Sequence, residues 1–109
     1  MASASLSVSE ASRRKTWAYP IVLTEHVFDK LWLLDLTLAE FRVLLDGAAE
    51  VIEEMAMQDV GLKEIVLFLD WTRPLHLVVV VDDTHEEERL ITVYEPSNDR
   101  WSDDFRTRR

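Results

Sequence analysis

The spacing of apolar positions changes several times along the chain, and each change marks a predicted element. The stretch "YPIVLT", residues 19–24, is short and β-branched, and Pro20 confines it to an edge strand or an extended lead-in. In "EHVFDKLWLLD" the residues Val27, Phe28, Leu31, Trp32 and Leu34 recur at helical spacing behind Thr24, which can cap a first helix. "TLAEFRVLLDG" is a clearer helix. Thr37 and Glu40 have capping-box spacing, Phe41, Leu44, Leu45 and Ala48 form one face, and Gly47 can close the end, so the second helix should run from about Leu38 to Asp46. "AAEVIEEMAMQD" is ambiguous, because it has the propensities of a continued helix while Gly47 argues for a stop.

Beyond it the pattern turns to strands. "KEIVLFLDW" is rich in Ile, Val and Phe, and "RPLHLVVVVDD" is apolar at almost every position from Leu75 to Val81, as a central strand covered on both faces would be. After the polar link "DDTHEEE", the segment "RLITVYEP" puts Leu90, Thr92 and Tyr94 on one face and Ile91, Val93 and Glu95 on the other. These two strands make an antiparallel hairpin. Two helices followed by an antiparallel meander define an α+β domain over residues 16–109 with a basic C-terminal tail. Residues 1–15, Ser/Ala-rich and without periodicity, read as a disordered N-terminal tail.

Composition narrows the chemistry. A length of 109 residues suits one small domain with a single core. No apolar run approaches the roughly 20 residues needed to cross a bilayer, and the start lacks the apolar segment of a secretory signal, so a cytoplasmic protein without a membrane partner is expected. The absence of cysteine removes disulfides, thiolate nucleophiles and cysteine-based metal sites, and two glycines are too few for a glycine-rich phosphate loop. His26, His76 and His85 lack a metal-site spacing, so no metal and no cofactor are expected.

The net charge of −9 is unevenly divided. Seven of the 12 basic residues lie in the end segments, at Arg13, Arg14, Lys15, Arg100, Arg106, Arg108 and Arg109, while residues 16–99 hold 5 basic against 18 acidic, a net of −13. Such a body repels a phosphate backbone, which leaves nucleic-acid binding to a local basic patch. The plain account of the basic ends is that they are frayed, solvated tails. Trp32 and Trp71 are expected in core or helix-to-sheet packing, and Trp101 should pin the basic tail to the domain.

Directly opposed residues of an antiparallel pair share a face. If Val80 stands opposite Leu90, then Val78 opposes Thr92 and His76 opposes Tyr94, with Arg73 near the same end of the strand. That would be an acid/base pair beside an anion-holding cation. It would equally be a half-buried pair whose polar tips hydrogen-bond one another.

The order "YPIVLTEHVFDKL", a helix opened by "LTLAEF", "RPLHLVVVVDD", "LITVYEPSNDRW" and the closing "DDFRTRR" resembles a widespread uncharacterised prokaryotic domain family, itself similar in fold to ribonuclease toxins of the RelE and BrnT type. The likeness covers about residues 19–109, and its most specific parts are "RPLH", "TVYEP" and the final "W..DF" with arginines. It implies that residues near 50–57 form the first strand, giving two N-terminal helices followed by a curved antiparallel sheet of about four strands. It further implies metal-independent cleavage of mRNA, with His76, Tyr94 and His26 as catalytic residues and Lys30, Arg73, Arg106 and Trp101 binding RNA or phosphate. RNA and an antitoxin-type protein would then be partners. The sequence departs from the family in "WLLD", where Leu33 and Leu34 stand in place of an arginine, so the basic site is incomplete. The alternative is a non-catalytic domain that binds itself or a protein partner through an exposed strand edge or helix face.

Overall fold

The computed structural model describes residues 8–109, in the order β1 (Val8–Arg14), β2 (Ile21–Leu23), α1 (Glu25–Leu33), α2 (Leu38–Asp46), β3 (Ala49–Met57), β4 (Gly61–Phe68), β5 (His76–Asp82) and β6 (Glu87–Tyr94). One sheet contains all six strands in the order β1-β3-β4-β5-β6-β2. Its pairs are antiparallel except β2, which runs parallel to β6. This overturns the expected two N-terminal helices followed by about four strands: two strands precede the helices, the sheet is mixed, and the helices are only nine residues each.

Both helices start where the sequence places them. Thr37 accepts a hydrogen bond from the Glu40 backbone N–H while the Glu40 carboxylate accepts from the Thr37 N–H, so the capping box of α2 is complete. Thr24 precedes α1 without a side-chain cap; its hydroxyl instead donates to the Leu90 carbonyl at 2.9 Å and ties the helix start to β6. The face of α1 is narrower than its spacing predicts. Val27 and Leu31 are buried, whereas Phe28 is 48% exposed and Trp32, expected in packing, is 85% exposed. Trp71 does pack against the core.

The ambiguous "AAEVIEE" segment is a strand because Gly47 ends α2 and both of its edges find partners, β1 on one side and β4 on the other. Tertiary pairing outweighs its helix propensity. Helical Val27, Phe41 and Leu44 pack with Val51, Val66, Phe68, Leu77, Val79, Leu90 and Val93 from the sheet to form the main core. A second cluster, Ile52, Leu67 and Trp101 with Ile65 and Phe105, joins the C-terminal segment to the sheet. β5 is the expected central strand, flanked by β4 and β6 and buried at six of its seven positions.

The basic ends are not frayed where they are described. Residues 8–14, expected within a disordered tail, form edge strand β1; residues 1–7 of that tail lie outside the described residues. Arg13 pairs with Glu54 at 2.6 Å and Glu64 at 2.9 Å. Lys15 is buried, with its ammonium on Glu64 at 2.8 Å and on Glu88. At the other end Arg106 pairs with Glu50 and Arg108 with Glu53, both on β3. Among the described residues no helix is long and apolar enough to cross a membrane.

Candidate functional site

The β5–β6 register brings together the two residues of the hairpin on which chemistry was expected. His76 stands opposite Tyr94 and Val78 opposite Thr92, but a bulge at Ile91 then sets Val79, not Val80, opposite Leu90. The bulge corrects the predicted faces. It turns Leu90 into the main core beside Val93 and leaves His76 and Tyr94 sharing a face.

His76 is fully buried beneath the C-terminal segment. Its Nε2 lies 2.8 Å from the Phe105 carbonyl, which can only accept, so Nε2 carries the proton. Nδ1 is then a lone pair, and the Tyr94 hydroxyl donates to it at 3.1 Å. Trp101 packs edge-on against the imidazole with ring centroids 4.5 Å apart, and Arg108 lies 4.7 Å over the Trp101 ring. Burial depresses the His76 pKa from 6.5 to about 4, opposed by the bond to Phe105 and helped by the Arg108 charge. Burial likewise raises the Tyr94 phenol. Both side chains are neutral at neutral pH, and each ring nitrogen of His76 already has a partner.

Phe105 holds this arrangement in an uncommon backbone state. Its φ of 62° lies in the left-handed region, disfavoured for a bulky residue by about 1–2 kcal/mol, and the His76 bond together with packing in the Trp101 cluster holds it there.

The other expected residues are dispersed. His26 Nε2 lies 3.1 Å from the Thr92 hydroxyl, linking α1 to β6. Lys30, in the last turn of α1, has no side-chain hydrogen bond among the described residues. Arg73 donates to the Leu34 carbonyl and lies 3.7 Å from Glu95. Arg106 is held on Glu50 at 2.9 Å. Glu53 and Phe105 escaped the sequence reading, and Arg108 entered it only as one of the basic residues of the tail, although "DDFRTRR" facing an acidic "AEVIEE" strand was the available signal. Among the described residues no three His, Asp or Glu side chains are placed to hold a metal ion.

The site therefore has the geometry of a latch: a neutral imidazole bridging a phenol and a main-chain carbonyl under an aromatic lid. Comparison with protein-family models, curated proteins and solved structures found no match to the chain.

Proposed function

We propose that the chain is a non-catalytic protein-binding domain whose α1 face takes an apolar, basic helical segment of a partner protein. The observation that carries this is the exposure of large apolar side chains on one short helix: Trp32 at 85%, Leu33 at 75% and Phe28 at 48%. Phe28 and Trp32 are one turn apart and share a face. Tryptophan is one of the side chains enriched at the energetic centres of protein interfaces. Residues 25–46, which span both helices, contain five acidic and two basic residues, a net charge of −3. A second copy would oppose the same sign of charge, whereas a basic amphipathic segment complements it. The sealed, neutral state of His76 also favours a binding role over proton transfer.

A labelled Leu/Lys amphipathic peptide and its Leu/Glu counterpart provide the test, read by fluorescence anisotropy. The Leu/Lys peptide should bind, and Trp32→Ser should weaken it by roughly 30-fold, the loss of an interface residue worth about 2 kcal/mol. Equal binding of both peptides, or equal binding by the variant, would overturn the proposal. A dimer seen by light scattering and abolished by Trp32→Ser would assign the face to a second copy instead. Cleavage of a reporter mRNA by the wild type but not by folded His76→Ala would restore the RNA-directed function implied by the family resemblance.

A further inference from the structure

An open cleft of about 310 Å³ lies beside the latch, lined by Tyr94, Glu95, Ser97, Arg100, Trp101 and Arg108 among others. Its size is at the lower end of the range for small-ligand sites. Three of the C-terminal arginines are already matched to carboxylates: Arg106 to Glu50, Arg108 to Glu53 and Arg109 to Asp103. Arg100, exposed at the cleft, has no carboxylate within ion-pair distance among the described residues.

The available donors can be counted atom by atom. Tyr94 commits its proton to His76 Nδ1, so its oxygen offers only lone pairs to the cleft. Arg108 commits Nε and Nη2 to Glu53 and is fixed over Trp101, which leaves Nη1. Arg100 contributes its whole guanidinium and Ser97 its hydroxyl. The charges balance to a single positive excess, since Glu53 offsets Arg108 and Arg73, at 3.7 Å, offsets Glu95.

We infer that this cleft binds a small organic monocarboxylate, with Arg100 as the principal anchor and Arg108 Nη1 and Ser97 as secondary donors. A planar guanidinium matches a carboxylate through two parallel hydrogen bonds. A single negative charge neutralises the cleft, whereas a phosphate dianion would leave excess charge facing Glu95 and the acidic body of the domain. The site is separate from the α1 face and does not depend on the function proposed for that face.

Benzoate and inorganic phosphate are the probes, titrated into isotope-labelled protein in a weakly coordinating buffer and followed by NMR at the Trp101 and Arg108 side chains. Benzoate should shift both signals saturably. Arg100→Gln should weaken it by about tenfold or more, the loss of a charge-assisted hydrogen bond. This variant removes no ion pair of the fold, and Arg14→Gln, on exposed β1, serves as a charge-matched control that should bind as the wild type does. Absence of a saturable shift, unchanged affinity in Arg100→Gln, equal weakening in Arg14→Gln, or tighter binding of phosphate than of benzoate would each overturn the inference.

Discussion

Replacing Lys15 by methionine tests whether buried charge fixes the N-terminal strand. The Lys15 side chain is 2% exposed, and its ammonium sits between the carboxylates of Glu64, 5% exposed, and Glu88, 0% exposed. At the 2.8 Å separation from Glu64, one such pair is attractive by about 6 kcal/mol in an effective dielectric of about 20. Desolvation of all three groups and repulsion between the two carboxylates cancel most of that, so the net worth of the cluster is small. Removing only the cation is different. Glu64 keeps Arg13 at 2.9 Å, but Glu88 keeps only the main-chain N–H groups of Ala18 and Tyr19 and becomes a buried charge without a counterion. The expected loss is about 3–5 kcal/mol, measured by urea unfolding near pH 7. Adding Glu88→Gln should recover part of it, because an amide oxygen can still accept from Ala18 and Tyr19 without carrying charge. A Lys15→Met loss below about 1 kcal/mol, or a double variant less stable than Lys15→Met, would refute the reasoning.

Two further outcomes follow from backbone geometry and from the latch. Gly61 opens β4 at φ 151°, and a Cβ there would come 2.1 Å from the Val81 carbonyl oxygen, so Gly61→Ala should lower stability by more than about 2 kcal/mol in thermal or urea melts; a near-neutral change would contradict the tight approach of β4 to β5. His76 has a native pKa of about 4 against an ordinary 6.5, so between these values the unfolded chain binds the proton and the native chain does not. Its contribution is complete above about pH 6.5 and declines as pH falls towards 4, by up to about 3 kcal/mol. His76→Gln should flatten that part of the stability profile, and an unchanged slope would show that other groups cause it.

The second helix was legible because its signals are local: Thr37 and Gly47 flank it directly, and Glu40 and the Phe41–Leu45 face lie within its span. Alternation gave the faces of β5 and β6 but not their register: the His76–Tyr94 pairing followed only if Val80 stood opposite Leu90, which it does not, and the pair forms because the bulge lies between it and that position. Strand β1 was not legible. Its side chains are mostly polar and exposed, and its specific partners, Glu54 and Glu64, lie 41 and 51 residues away from Arg13. No window of local pattern contains that information. Trp32 failed in the opposite sense: its helical spacing implied burial, but the stripe that α1 applies to the core is only wide enough for Val27 and Leu31, with Leu34 at its edge.

The uneven charge of the sequence takes on a structural meaning once both ends are placed. Five of its seven terminal basic residues, Arg13, Lys15, Arg106, Arg108 and Arg109, are matched to carboxylates, and four of those five reach acidic residues of the sheet. A polyanion gains affinity by taking up cations that would otherwise hold only loose counterions. At Arg13, Lys15, Arg106 and Arg108 a phosphate would have to displace Glu50, Glu53 or Glu64 from a fixed partner, and the displaced carboxylate would remain beside it. Glu53 and Glu64 are 6% and 5% exposed, so the loss would be that of stranding a largely buried charge. Those four basic side chains are thus the ionic complement of an acidic sheet. Phe28, Trp32 and Leu33 of α1 by contrast stand exposed on the described fold, and the proposed binding face rests on that contrast.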